Sequence, residues 1–135
     1  MTIRDVLVYV DDTPAGRTRA EAAVRLADRH QARIAGVFLR SEFQGSFWAT
    51  DAVSYAASID LGQIIREHDR SVTAASEAAR QSFEAFAAER SVDSEWLVVN
   101  GDTDGPLIDL ARRFDLTVMP IRGRPILSEN VVTAA

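Results

Sequence analysis

Asp11, Asp12 and Thr13 are the residues whose types and spacing are best suited to chemistry in this chain. They follow directly on Val6-Leu7-Val8-Tyr9-Val10, five consecutive apolar residues, and they precede Pro14. Two carboxylates and a hydroxyl at that point can accept hydrogen bonds from a ligand, and open α/β sheets place their ligand sites at the carboxyl ends of strands. The same side chains also cap helices, with Asp12 or Thr13 as N-cap and Pro14 at the first helical position. Both uses are open for Asp11, whereas capping is the favoured use of Asp12 and Thr13.

A second group of oxygen ligands, Asn100-Gly101-Asp102-Thr103-Asp104-Gly105, resembles a Ca²⁺ loop in composition. It lacks the spacing and the closing glutamate of an EF-hand, so a turn with Asp104 as N-cap is favoured. Arg122 and Arg124 flank Gly123 and could meet an anion, although solvated loop arginines are the commoner outcome. His68 falls on an apolar helical stripe and reads as a packed residue. His30 sits where a donor helps the last carbonyls of a helix. No Ser/His/Asp order, metal-ligand cluster or paired carboxylates in a cleft stand out, so a non-enzymatic role is expected.

Composition narrows the classes further. All 15 basic residues are arginine, which excludes a catalytic or P-loop lysine, and the absence of cysteine excludes thiolate nucleophiles and disulfides. The net charge is −5 and the arginines are scattered, unlike the localised basic footprint of a nucleic-acid-binding protein. No apolar run approaches the roughly 18 residues of a membrane span, and no leader pattern precedes the first strand. A cytoplasmic location is the expectation.

The elements that must position these residues can be read from periodicity. Val6–Val10, Arg33–Leu39, Trp96–Val99 and Leu116–Met119 read as strands, the first two buried on both faces as in a parallel sheet. Helix one should bury Ala20, Ala23, Val24 and Ala27, at the i, i+3, i+4, i+7 spacing. Residues 40–59 have no clean period and carry Phe43, Phe47, Trp48 and Tyr55, a lid, a partner surface or a satellite cluster. A long helix follows with Leu61, Ile64, Ile65, His68, Val72, Ala75, Ala79, Phe83 and Phe86 on one face, and its length suggests a break near Ser71 to Ser76. Leu107, Leu110, Ala111 and Phe114 mark a last helix. Alternating strands and helices predict one α/β domain over residues 1–135, doubly wound, with a mainly parallel open sheet. Four strands leave an apolar edge, so the final strand is expected to be missing and to be supplied by a following segment.

The ordered set Val6-Leu7-Val8-Tyr9-Val10-Asp11, Ala32-Arg33-Ile34-Ala35-Gly36-Val37, Val98-Val99-Asn100-Gly101-Asp102 and Leu107 to Met119 resembles the universal stress protein family. The resemblance implies an adenine-nucleotide alpha hydrolase-like fold. By position it implies that Asp11 meets adenine, with Val37 or its neighbour Phe38 lining the pocket. Asp12, Thr13 and Gly101 join them at the strand ends. A glycine loop after strand four holds ribose and phosphate in the ATP-binding branch. Here Pro120 stands at the first glycine position, Gly123 fits the second with Arg124 beside it, and no later Gly-Ser or Gly-Thr pair exists. Proline has no N–H to offer a phosphate. The expectation is a binding and regulatory module of the stress response with a degenerate nucleotide site and no cofactor of its own. It would act as a homodimer or as the first half of a tandem pair, without nucleic acid or membrane partners. The alternative is an ATP-binding stress domain that holds ATP or another adenine nucleotide through Asp11.

Overall fold

The computed structural model describes residues 2–40, 61–100 and 105–120. Within them the chain runs β1 (Asp5–Tyr9), α1 (Pro14–His30), β2 (Arg33–Arg40), α2 (Leu61–Glu89), β3 (Ser94–Asn100), α3 (Gly105–Ala111) and β4 (Leu116–Val118). The strands form one parallel sheet in the order β3-β2-β1-β4. The predicted doubly wound α/β architecture is the one observed.

This order places the continuous apolar run at the centre. Val6 to Val10 are all buried, flanked by β2 on one side and β4 on the other. The first two crossovers step outward from β1 to β2 to β3, and the third jumps back to the far side of β1. Right-handed crossovers that reverse direction must leave on opposite faces of the sheet. Accordingly α1 and α2 cover the face of Val6, Val8, Val10, Ile34 and Phe38, whereas α3 covers the face of Leu7, Tyr9, Ala35 and Val37.

Helix α1 buries Ala20, Ala23, Val24 and Ala27 as its periodicity predicts, together with Gly16 and Arg19, which the stripe did not include. The small alanines let the helix lie close to the valines of β1, the arrangement of an apolar stripe facing a core. Helix α2 is continuous from Leu61 to Glu89, without the break expected near Ser71 to Ser76. Residues 71–76 hold two alanines among serine, valine and threonine of middling propensity, but no glycine or proline falls there to break the backbone ladder. Its buried anchors are Ala79, Phe83 and Ala87, all in its second half.

Phe83 explains Gly36. A Cβ on Gly36 would stand 3.0 Å from the Phe83 ring, so the strand gives up a side chain to seat the aromatic. Phe83 then contacts Trp96, with ring centroids 5.8 Å apart. Strand β3 is the edge of the sheet and is only half-buried, with Val98 47% exposed.

The opposite edge is tied at the amino ends of the strands. The Asp115 carboxylate accepts the backbone N–H of Arg4 at 2.9 Å and of Asp5 at 3.1 Å, and the Asp115 N–H donates to the Asp5 carbonyl at 3.0 Å. These bonds favour the ionised carboxylate and hold its pKa below the usual aspartate value.

Two outcomes follow from this packing. Gly36→Ala should cost about 1–3 kcal/mol through overpacking against Phe83, read as a lowered urea midpoint. The Asp115 tether should add stability above the ordinary aspartate range near pH 4 and lose it as pH falls through the depressed native pKa. Asp115→Asn should therefore flatten the acid limb of a stability-against-pH curve, and an unchanged limb would count against the tether.

Candidate functional site

The strand order locates the site. Its direction reverses between β1 and β4, and ligands of open α/β sheets bind at the carboxyl ends on either side of such a switch point. The residues there are Tyr9 to Thr13 on the β1 side and Met119 and Pro120 on the β4 side.

The first turn of α1 organises the polar groups. Thr13 is the N-cap, with extended backbone, and its hydroxyl oxygen accepts the Gly16 N–H at 2.9 Å. The same hydroxyl donates its proton to Oδ1 of Asp11 in a close hydrogen bond. A hydroxyl can do both at once, so Thr13 links the positive end of the helix to the strand-end carboxylate. Gly16 is part of this device. A Cβ there would overlap the Asp11 carboxylate and lie 2.6 Å from the Asp11 backbone oxygen. Asp12 is exposed and pairs with Arg17 at 3.4 Å, a surface ion pair of little energetic weight.

Arg19 is the residue that sequence reasoning missed. It is only 8% exposed, on the border of the α1 stripe beside Ala20. Its Nη1 donates to the Tyr9 carbonyl at 3.0 Å and lies 3.9 Å from Oδ2 of Asp11. Its guanidinium carbon sits 5.7 Å from the centroid of the Tyr9 ring, within cation–π range. The available signal was position: residue 19 lies three after Gly16 and four before Ala23, inside the helical arc that faces the sheet.

Of the candidate residues, Asp11, Asp12 and Thr13 are brought to this crevice. Val37 is fully buried behind it, and its carbonyl accepts the Val10 N–H at 2.9 Å. Val37 and Phe38 point to opposite faces of the sheet, Val37 toward α3 and Phe38 toward α1 and α2. Only Val37 therefore shares a face with the Tyr9 ring. Gly101, Gly123 and Arg124 lie outside the described residues, as do Asp104 and the aromatics Phe43, Phe47, Trp48 and Tyr55. The segments leaving the carboxyl ends of β2, β3 and β4 are thus those not described.

A surface cleft of about 270 Å³ lies at the opposite, amino ends of the strands, lined by Asp5, Arg33, Asp93, Glu95 and Arg113 among others. Its three carboxylates are largely offset by two arginines, and Arg33 already pairs with Asp5 at 2.9 Å. Among the described residues no group of three or more acidic or histidine side chains could hold a metal ion. No helix among them is long and apolar enough to cross a membrane.

The Asp11 arrangement can be tested by a double-mutant cycle. Gly16→Ala should cost about 1–3 kcal/mol by forcing the carboxylate aside, and the cost should shrink in an Asp11→Ala background, where only the backbone oxygen remains in the way. Equal costs in both backgrounds would show that the carboxylate does not occupy that place.

No protein-family model matches the chain, and no curated protein matches it at a significant level. Solved structures do. A protein of the universal stress protein family from Burkholderia pseudomallei is 25% identical with a TM-score of 0.57, over 95% of this chain and 86% of that one. Universal stress protein UspA from Lactobacillus plantarum is 22% identical with a TM-score of 0.60, over 93% and 81%. A universal stress protein solved in complex with cAMP is 17% identical with a TM-score of 0.54, over 99% and 85%. The strand order, the acidic strand-one turn and these neighbours agree: the chain is a universal-stress-protein-like α/β domain.

Proposed function

We propose that this domain is a binding and regulatory module of the stress response with a degenerate nucleotide site, acting by packing against a second copy or a second such domain. The observation that carries the reading is the state of the strand-one carboxylate. Asp11 is already bonded to Thr13 and faces Arg19, so a ligand must compete with the chain's own donors. Pro120 supports the same reading, because it places a residue without an N–H two positions after the end of β4, where a phosphate would seek bare amides. The module uses no catalytic chemistry of its own. It works through partner packing in the cytoplasm, with no role for nucleic acid or membrane.

A second reading, an ATP-binding stress domain, is favoured by one feature. Asp11 remains partly accessible at the switch point, and a neighbour of the same fold was solved in complex with cAMP. In that reading Asp11 meets the base, Val37 backs it, and Gly101, Gly123 and Arg124 approach the sugar and phosphates.

Denaturing freshly purified protein and identifying any released small molecule by mass spectrometry separates the two. The degenerate module releases no adenine nucleotide, and calorimetric titration with ATP shows no binding. Released nucleotide, together with loss of ATP binding on Asp11→Ala in a variant that keeps its circular dichroism spectrum, would replace the first reading with the second.

A further inference from the structure

The position of the Arg19 guanidinium follows from one peptide group. The Val10 N–H donates to Val37 on β2, and no peptide bond in the described chain is cis. A trans peptide points its C=O opposite to its N–H. The Tyr9 carbonyl is therefore aimed away from β2, toward the switch-point side of β1, and there it accepts Nη1 of Arg19 at 3.0 Å.

Arg19 also reaches a group of the other face. Helix α1 packs on the face of Val6, Val8 and Val10, whereas the Tyr9 ring belongs to the α3 face. The guanidinium carbon comes within 5.7 Å of that ring's centroid while Nη1 bonds the Tyr9 carbonyl, which sets the group at the carboxyl end of β1. It rests among a carbonyl acceptor, a carboxylate oxygen at 3.9 Å and an aromatic face. Such a set recognises a planar group rich in N–H donors, which a guanidinium is. The grip on it is incomplete. The ion pair is at the long limit of contact, and the closer partner of Asp11 is Thr13. A buried cation so loosely paired adds little to stability.

We propose that the Arg19 guanidinium is a built-in occupant of a recognition site for planar amidine-like or amino-heterocyclic ligands, and that it excludes them from the crevice beside Asp11. This rests on the degenerate-site reading and supplies its cause: the site is filled from within. Its occupant is a side chain that a substitution can remove.

The test is to vacate the site and refill it. In Arg19→Ala, and in Arg19→Met should the alanine variant fail to fold, millimolar methylguanidinium should raise the melting midpoint by about 3 °C, the scale expected when a weak site is saturated in a domain of this size. Methylammonium has the same charge without the planar donor array and should have no such effect. The unsubstituted protein should respond to neither. ATP binding gained by the variant alone would support the proposal as well. An equal response to both cations, an equal response in the unsubstituted protein, or no response in a folded variant would overturn it. Adenine nucleotide released from the unsubstituted protein and lost with Asp11→Ala would overturn both this proposal and the degenerate-site reading. Nucleotide whose binding is unaffected by Asp11→Ala would sink the degenerate-site reading alone and leave methylguanidinium to decide the role of Arg19.

Discussion

A strand buried on both faces at the middle of a parallel sheet has no place for a polar side chain until it ends. Strand β1 meets this constraint with Val6, Leu7, Val8, Tyr9 and Val10, whose side chains alternate between a two-helix layer and the α3 layer. Polar groups therefore crowd into the few residues after Val10, where the chain first escapes the core. That crowding makes the carboxyl end of β1 the chemically loaded corner of the domain. It also makes the first turn of α1 responsible for keeping the corner in order.

Two devices share that corner. Thr13 satisfies a helix N–H and the Asp11 carboxylate with one hydroxyl, and Gly16 clears the space that the carboxylate needs. Arg19 brings a cation to the carbonyl of the last β1 residue and to the far oxygen of the same carboxylate. The result is a strand end where Oδ1 of Asp11 and the Tyr9 carbonyl already have donors and a cation stands near Oδ2.

Much of this was legible in the residues. The double burial of β1, the Ala20, Ala23, Val24 and Ala27 stripe, the Thr13-Pro14 helix start and the alternation of strands with helices are local patterns with short periods, and each appears as read. The helix α2 face was read correctly at Ala79 and Phe83, but Ile65 is exposed and Ala87 is a buried anchor that the pattern left out. The expected break is absent because length alone is weak evidence where no glycine or proline falls between Ser71 and Ser76. Arg19 escaped notice because charged residues beside an apolar stripe usually extend into solvent with only their stems covered.

The sequence by itself determined the set of elements, their parallel character and the collection of carboxylates and hydroxyl after β1, since these depend on neighbours a few residues apart. Tertiary structure alone decided that the Val37 face is covered by α3 and the Phe38 face by α1 and α2, that Gly36 makes room for Phe83 forty-seven residues on, and that the strand order turns back across β1. It also decided that Asp11 faces a cation of its own chain. The physical reason is the same in each case: these are questions of which surfaces meet, and a meeting between residues distant in the chain is set by the packing of whole layers rather than by any local period.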